Sequence, residues 1–310
     1  MAIVVIGAVF VDIKGYPHDK YIPDGRNAGD VLTVHGGVGR NVAEDIANIG
    51  LQTKFVSLVD DNAQGEEVVK RLQDRKVNTD YVLPTKDGMG VWLAVFDERG
   101  DVAASISKRP DPSEIARLIE EKGDEIFADC DSIVIEVCLD AEIVKSVLRF
   151  AEKYGKKVYG VVANMSIAIQ RRDLIKSLSC FVCNLEEAEL LFMDSFRGLS
   201  RKELCDKLSE NVKNAEIPSM IMTMGADGAV YASMDGEKGY CPAEKVSVRD
   251  TTGAGDAFCA GVSAALTCGK ALPDAIKIGG RLAAAVITSS ENTCPKFLSK
   301  ELGLDVEIGE

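Results

Sequence analysis

Strands alternating with helices along the 310-residue chain predict an α/β fold: a doubly wound, mostly parallel sheet with helices on both faces and a small β lid. Three observations carry that prediction. Residues 3–9 form an apolar run rich in β-branched side chains, as expected of a strand buried on both faces of a parallel sheet. Apolar strand candidates then recur at 54–59, 132–135, 157–162, 180–182 and 220–223, with helical patterns between most of them. Two stretches, 13–35 and 88–107, break the alternation.

Taken in order, the opening run ends near Asp12, and the pattern over 38–50 spaces Val42, Ile46 and Ile49 as one face of a helix. The strand at 54–59 is followed by a helix over 64–75. Later helices are expected at 141–154, 173–177, 185–193 and 201–211. A strand-like segment at 245–249 precedes a helix over 257–266, rich in small and apolar residues. Residues 13–35 are rich in Gly, Pro, Asp and Asn, with an extended piece at 30–34. Residues 88–107 carry the alternating runs MGVWLAVF and VAASIS around the turn Asp97-Glu-Arg-Gly100, a hairpin pattern. Residues 1–12, 36–87 and 108–310 are thus assigned to the α/β domain, and 13–35 with 88–107 to the lid. The alternative is two surface loops packed flat on that domain.

Apolar residues make up 46% and charged residues 27%, the balance of a soluble globular protein with a sizeable core. The net charge is -13 with no Lys/Arg-rich block, so a nucleic-acid partner is not expected. Small anions remain within reach, because backbone N–H groups and metal ions supply local positive potential. Nine cysteines, odd in number and irregularly spaced, fit reduced thiols in a cytoplasm. The lone Cys180-Phe-Val-Cys183 pair reads as strand core rather than a zinc or redox site. The N-terminus lacks the basic start and cleavage site of a signal peptide, and no apolar run reaches membrane-span length. A cytoplasmic protein without membrane contact is expected.

Four segments carry chemistry. The run Asp250-Thr-Thr-Gly-Ala-Gly-Asp256 opens a helix. Gly253 and Gly255 leave amides unobstructed at a helix N-terminus, which suits charge developing on a transferring phosphoryl group. Asp256, in the first turn, can accept a hydroxyl proton; a plain Asp-bearing helix start after a Gly turn is the alternative. In His35-Gly-Gly-Val-Gly-Arg-Asn41, the glycines Gly36 and Gly37 admit close approach of a ligand, and Asn41, with Asp12 nearby, matches a pair of sugar hydroxyls. Asn184-Leu-Glu-Glu187 follows a strand, where open α/β sheets present ligand residues, and Glu187 can hold a Mg²⁺-bound water or simply stabilise a first helical turn. Thr223, Gly225 and Gly228 form a strand-to-turn unit suited to lie beneath ATP phosphates, or an ordinary turn.

Together these segments resemble the ribokinase-like (PfkB) carbohydrate kinase family over essentially the whole chain. The signature D-T-x-G-A-G-D stands at Asp250–Asp256, two glycines, x, Gly, x, Asn at Gly36–Asn41, and N-x-x-E at Asn184–Glu187. The resemblance implies Asp256 as base, Gly253, Ala254 and Gly255 as an anion hole, and Mg-ATP as donor. It implies a lid that closes over the sugar and pairs with a second subunit as a homodimer. It also implies a monovalent cation such as K⁺ beside the loop of Asp250 and Thr252, the latter also an ATP contact. Within the family, the start VVIGAVFVDIKGYPH, the form GGVGRN and the run Ser290-Glu-Asn-Thr-Cys-Pro295 look like the pseudouridine kinase branch, and Arg40 is then expected near the lid. Two departures stand against that branch: Ala163-Asn164-Met165 where a D-P dipeptide is common in the family, and a lid exit, Ser107-Lys-Arg-Pro-Asp111, without an N-D-M-like run.

The expected activity is ATP-dependent phosphorylation of a sugar or nucleoside hydroxymethyl group, with pseudouridine as the narrow reading. Asp12, Gly36, Gly37, Arg40, Asn41 and Asp256 are assigned to the acceptor, and Asn184, Glu187, Thr223, Gly225, Gly228 and Thr252 to the donor. A free sugar or ordinary nucleoside is the alternative acceptor, and a non-catalytic binder of such molecules the alternative function. No G-x-x-x-x-G-K-[ST] or strand-linked G-x-G-x-x-G occurs, which removes P-loop and dinucleotide-binding readings. With His18 and His35 alone, a His-based triad or metal site is not expected.

Overall fold

The computed structural model describes residues 1–304. In chain order the first half contains β1 (Ala2–Ile6), β2 (Phe10–Pro17), β3 (Gly29–Gly36), α1 (Val38–Asn48), β4 (Gln52–Asp60), α2 (Ala63–Asp74), β5 (Val77–Thr85), β6 (Gly90–Phe96), β7 (Val102–Lys108), α3 (Ser113–Phe127), β8 (Ser132–Glu136) and α4 (Ala141–Tyr154). The second half contains β9 (Lys157–Val161), α5 (Met165–Ala168), α6 (Arg172–Ile175), β10 (Cys180–Asn184), α7 (Leu185–Phe192), α8 (Arg201–Asn214), β11 (Ser219–Thr223), β12 (Ala229–Ser233), β13 (Lys238–Cys241), α9 (Ala254–Thr267) and α10 (Leu272–Ile287).

Nine strands form the main sheet in the order β13-β12-β11-β10-β9-β8-β1-β4-β5. It is parallel from β5 to β11, and β12 and β13 add antiparallel edges. The two-residue period of β1 explains the double winding. Ile3 and Val5 enter the core under α1, α2, α9 and α10, whereas Val4 and Ile6 enter the core under α3, α4, α7 and α8. Cys180 and Cys183, an odd three positions apart on β10, fall into opposite cores and share no ligand.

A second sheet, β3-β2-β6-β7, gathers the two stretches assigned above to a lid. It starts earlier than the sequence suggests: Phe10 already pairs with Gly36 and Gly90, so Phe10, Asp12 and Gly36 belong to the lid sheet. Gly90 permits this, because a Cβ there would stand 2.4 Å from the Phe10 ring. The expected strand at 245–249 does not form. That stretch is mostly exposed and irregular, and the amides of Arg249 and Asp250 donate to the Ile287 carbonyl instead of a strand partner. The structure adds β2, β5, β12, β13, α3, α5 and α10 to the elements read from sequence. Local chemistry sets several helix ends: reciprocal capping boxes join Asn184 to Glu187 and Ser200 to Glu203, and Gly155 ends α4 in the left-handed region at φ 62°.

Candidate active site

The C-terminal ends of the parallel strands and the lid enclose a cavity of ≈ 400 Å³. Asp12 of β2, Asn41 of α1, Glu136 of β8, Trp92 of β6 and Asp256 of α9 converge on it, where open α/β sheets place ligands. The sugar-facing and base-facing residues of the sequence reading are thus brought together, apart from Arg40. Gly36 lies directly against Asp12, since a Cβ there would come within 2.5 Å of the carboxylate. Gly37, at φ 99°, precedes α1 in a conformation that side chains rarely adopt, against the Ala8 carbonyl.

Arg40 is a correction. It is 1% exposed, and its guanidinium donates to Glu44 Oε2 at 2.9 Å and to the carbonyls of Gly36 and His35. Its charge is spent inside α1 and beneath the turn before it, because Glu44 lies one helical turn on. It does not line the cavity, but through the His35 and Gly36 carbonyls it bonds the end of β3, so it lies against the lid sheet as expected.

Asn41 Nδ2 donates to Asp256 Oδ2 at 2.7 Å. Burial pushes the Asp256 carboxyl up to about 7; Asn41 and Arg40 oppose the shift, and the neighbouring carboxylates Glu136 and Asp12 reinforce it. A carboxylate so poised suits a general base near neutral pH. Asp12 is also raised by burial, with Lys14 and Arg40 pulling it back. Burial raises Glu136 too, while the amides of Ala8 (2.8 Å) and Gly39 (3.3 Å) and the Cys138 thiol stabilise its charge. Sequence reasoning missed Glu136, Trp92 and Arg109. The signal for Glu136 was a lone acid closing an otherwise apolar strand; Trp92 and Arg109 had no local signal.

A second cavity, ≈ 180 Å³ and mostly apolar, lies between the turn after β11 and the helices α9 and α10. Thr223, Gly225 and Gly228 border it together with Phe258, Ile276 and Ala284. Gly228 must be glycine: at φ 89° a Cβ would stand 2.2 Å from the Cys241 carbonyl. The two cavities meet at the start of α9. Ala254 and Gly255 face the apolar one, and Thr252, Gly253 and Asp256 face the polar one.

No side chain caps α9, and among the described residues the amides of Gly253 and Gly255 have no protein acceptor. Ala254 is engaged, its N–H donating to the Thr251 carbonyl at 3.2 Å. Two free amides at a helix N-terminus are the donor set an anion needs, so the residues present fit a transferring phosphate. Gly253 is held at φ 82°, where a Cβ would be 2.0 Å from the Asn292 carbonyl.

The remaining predicted residues sit as follows. Asn184 opens on a third cavity of ≈ 560 Å³ that shares Thr223 and Gly225 with the apolar one. Glu187 borders none of these three cavities. Its Oε2 accepts from the Asn184 amide and its own amide donates to Asn184 Oδ1, both at 2.8 Å. Asp250 Oδ1 accepts from the Thr252 amide at 2.9 Å. Burial would raise the Asp250 carboxyl, but the Thr252 hydrogen bonds and Lys14 outweigh it and hold it low. No cluster of three His, Cys, Asp or Glu suited to a metal occurs among the described residues. No helix of the described residues is long and apolar enough to cross a membrane.

A profile of the pfkB family carbohydrate kinases matches residues 2–296. The chain is 36% identical over 296 residues to a guanosine-inosine kinase of Exiguobacterium acetylicum, covering 94% of this chain and 95% of that protein. It is 25% identical over 276 residues to a pseudouridine kinase of Escherichia coli, covering 89% and 87%. Its fold matches an Arabidopsis thaliana ribokinase, solved with ribose and ATP, at a TM-score of 0.80 and 19% identity over 99% and 100% of the two chains. Kinases of this family use ATP, typically with Mg²⁺. The pair of cavities meeting at uncapped amides, with the Asp256 carboxylate in the polar one, suits such transfer, and this chain belongs to the pfkB family of carbohydrate and nucleoside kinases.

Proposed function

We propose that this chain transfers the γ-phosphoryl group of ATP to the 5′-hydroxymethyl of a ribonucleoside, with inosine and guanosine as the preferred acceptors. The observation that carries this reading is the acceptor cavity: polar at the Asp256 end and walled by the aromatic side chains of Trp92 and Phe10, with Arg109 beside them. Its ≈ 400 Å³ falls in the range that encloses ligands larger than a free pentose, and a nucleobase needs an aromatic wall. The similarity to the guanosine-inosine kinase over nearly the full length of both chains points the same way.

In this reading Asp12 and Asn41 hold the ribose hydroxyls. Asp256 takes the 5′-hydroxyl proton as the oxygen attacks the γ-phosphorus, and the free amides of Gly253 and Gly255 meet the developing charge. ATP lies along the apolar cavity over Thr223, Gly225 and Gly228. With no cluster of three such ligands among the described residues to bind it directly, Mg²⁺ would be held chiefly by the phosphates, and Glu187 would hold its waters. A monovalent cation would sit beside the Asp250–Thr252 loop.

Pseudouridine is the second reading, favoured by the runs Gly36–Asn41 and Ser290–Pro295. The test is ATP-dependent phosphate transfer with Mg²⁺, with and without K⁺, to inosine, guanosine, pseudouridine, uridine, ribose and fructose. Preference for a purine nucleoside supports the proposal; preference for pseudouridine selects the second reading, and preference for a free sugar discards both.

The lid also supports a homodimer. Leu93 and Ile106 are cross-strand neighbours on the face opposite Asp12 and Trp92, and with Val31 they remain exposed. Ile106→Glu is expected to convert a dimer to a monomer in light scattering; an unaltered mass would remove the lid from the interface.

A further inference from the structure

One face of α1 carries a buried polar stripe at Asn41, Asp45 and Asn48, spaced by four and three residues. Its lower half is the dock for the segment after α10. Cys294 donates its amide to Asp45 Oδ1 at 2.6 Å, and Asn48 Nδ2 donates to the Cys294 carbonyl at 2.8 Å. Its upper end is Asn41, whose Nδ2 reaches Asp256. Three atoms of this stripe are buried without a hydrogen-bond partner: Asn41 Oδ1, Asp45 Oδ2 and Asn48 Oδ1. They belong to residues one helical turn apart on the same face.

A side-chain amide oxygen left dry and unpaired costs stability, and a carboxyl oxygen left so costs more. Docking Cys294 needs only one oxygen of Asp45 and gives no reason for the other. One proton on Asp45 removes two of the three deficits, since a carboxyl O–H is a donor and an amide oxygen an acceptor, and of the two amides in the stripe only Asn41 reaches Asp256.

We propose that Asp45 is a positioning residue for the base: its carboxyl donates a hydrogen bond to Asn41 Oδ1 and so fixes the Asn41 amide with Nδ2 toward Asp256. The required protonation agrees with the surroundings. Burial drives the Asp45 carboxyl strongly upward, Asp256 on α9 and Glu44 on α1 reinforce this, and the Cys294 amide and thiol and the Arg40 charge on α1 oppose it. The consequence lies at Asp256. An Asn41 amide locked this way round can only donate to Asp256, which favours the ionised, proton-accepting form. A free amide can turn over, present its oxygen and favour the protonated form. Asp45, which does not line the cavity, thus sets the protonation of a group that does.

The proposal rests on Asp256 acting as base, so its test has one arm that needs no turnover. In protein labelled with ¹⁵N-asparagine, the Asn41 side-chain NH₂ signals, assigned by their loss in Asn41→Ala, are expected to be well separated and slow to exchange with solvent. Asp45→Ala should broaden them and speed exchange, and Asp45→Asn, whose own NH₂ can donate to Asn41 Oδ1, should restore them. In kinetics with whichever acceptor turns over, Asp45→Ala should lower kcat about 10–100-fold with KM for ATP unchanged, and Asp45→Asn should recover most of the loss.

The acidic limb of the kcat profile supplies a sign test. Asp256 faces Asn41 and Arg40 of α1, Glu136 of β8 and Asp12 of β2, as well as Asp45. If Asp45 is neutral, Asp45→Ala frees the amide and moves the limb to higher pH, whereas Asp45→Asn leaves it in place. If Asp45 is ionised, either substitution removes a negative charge near Asp256 and moves the limb to lower pH. Should Asp45→Ala not fold, the limb in Asp45→Asn still decides. Unchanged Asn41 signals in Asp45→Ala, an Asn variant as impaired as the Ala variant, or a limb moved to lower pH would overturn the proposal. Normal turnover in Asp256→Asn would instead remove the base assignment and leave the amide signals to judge the hydrogen bond.

Discussion

Replacing Asp256 by Asn should make the protein a poorer kinase and a more stable fold, and the two effects should share one cause. The carboxyl is recessed at the start of α9, and its folded pKa of about 7 compares with 3.8 for an unperturbed Asp. Between these values the folded chain binds a proton the unfolded chain has lost, so stability falls as pH rises from about 4 to about 7. A shift of about three units corresponds to an upper bound of ~4 kcal/mol at 1.36 kcal/mol per unit. The carboxyl also borders the acceptor cavity, and water reaching it there lowers the working figure to ~2 kcal/mol. Asp256→Asn keeps the shape and can still accept from Asn41, so at pH 8 it should be more stable by that amount, and at pH 4 by nearly nothing. Chemical denaturation at the two pH values measures this. Loss of the general base should lower kcat ~10²–10⁴-fold, and in the unaltered enzyme kcat/KM should fall as pH drops through about 7. A kcat within tenfold of the unaltered enzyme, or a stability gain equal at both pH values, would refute the reasoning.

Three further perturbations follow from the geometry. Glu44 is fully buried and accepts from Arg40, Arg71 and Thr293 at 2.9 to 3.0 Å; Glu44→Ala strands the Arg40 charge and should cost ~3–5 kcal/mol in urea denaturation, a loss under ~1 kcal/mol being the contrary result. Gly253→Ala forces a Cβ to within 2.0 Å of the Asn292 carbonyl, so the turn must shift and take its amide with it; kcat should fall ~10²-fold, a rate unchanged within threefold arguing against an anion hole there. Trp92→Ala should raise KM ~10-fold for a nucleoside, equivalent to ~1.4 kcal/mol of lost ring contact, and leave any activity on free ribose unaffected; an equal effect on both acceptors would mean Trp92 shapes the lid rather than meets a base.

What the sequence disclosed, and what it concealed, divides along chain separation. The fold was readable because each strand of a doubly wound sheet is apolar throughout and each helix carries its own period, both local properties. The capping residues Asn184 and Ser200 announce α7 and α8 three residues before their reciprocal Glu partners. Asp256 and Asn41 were readable because glycines flank them in runs few other sites need. Arg40 was misplaced because a guanidinium beside a Gly-rich turn suits a ligand as well as a partner. Only the packing of α2 and the 290s loop against Glu44 decides that it stays inside. Trp92 and Arg109 come from the lid sheet and the segment after it, and nothing at either position marks the cavity they share with Asp256. The segment at 245–249 has strand-like alternation, but the Arg249 amide donates to the Ile287 carbonyl at the end of α10 rather than to a strand, so its pattern carried no outcome.

The same long-range logic explains why the loop of residues 289–295 matters to chemistry it does not perform. Asn292 donates to the His35 carbonyl at 2.7 Å, and its own carbonyl blocks any side chain at Gly253. Thr293 and Cys294 fasten to Glu44 and Asp45 on α1, and Glu291 reaches Arg71 of α2 at 3.0 Å. One short segment therefore touches the turn before α1, α1 itself, α2 and the start of α9. Asp256 on α9 and the Asn41 amide on α1 come from elements about 215 residues apart in sequence, so their 2.7 Å contact cannot be set by either element alone. A brace bonded to α1 and packed against the turn that opens α9 fixes their relative position before any substrate arrives, and most of what it contributes is lost if its anchorage on α1 is cut. Thr293→Val, which removes only the bond to the fully buried Glu44, should therefore lower kcat as well as stability even though it lies outside both cavities. A stability loss with kcat unchanged would show that the loop supports the fold alone.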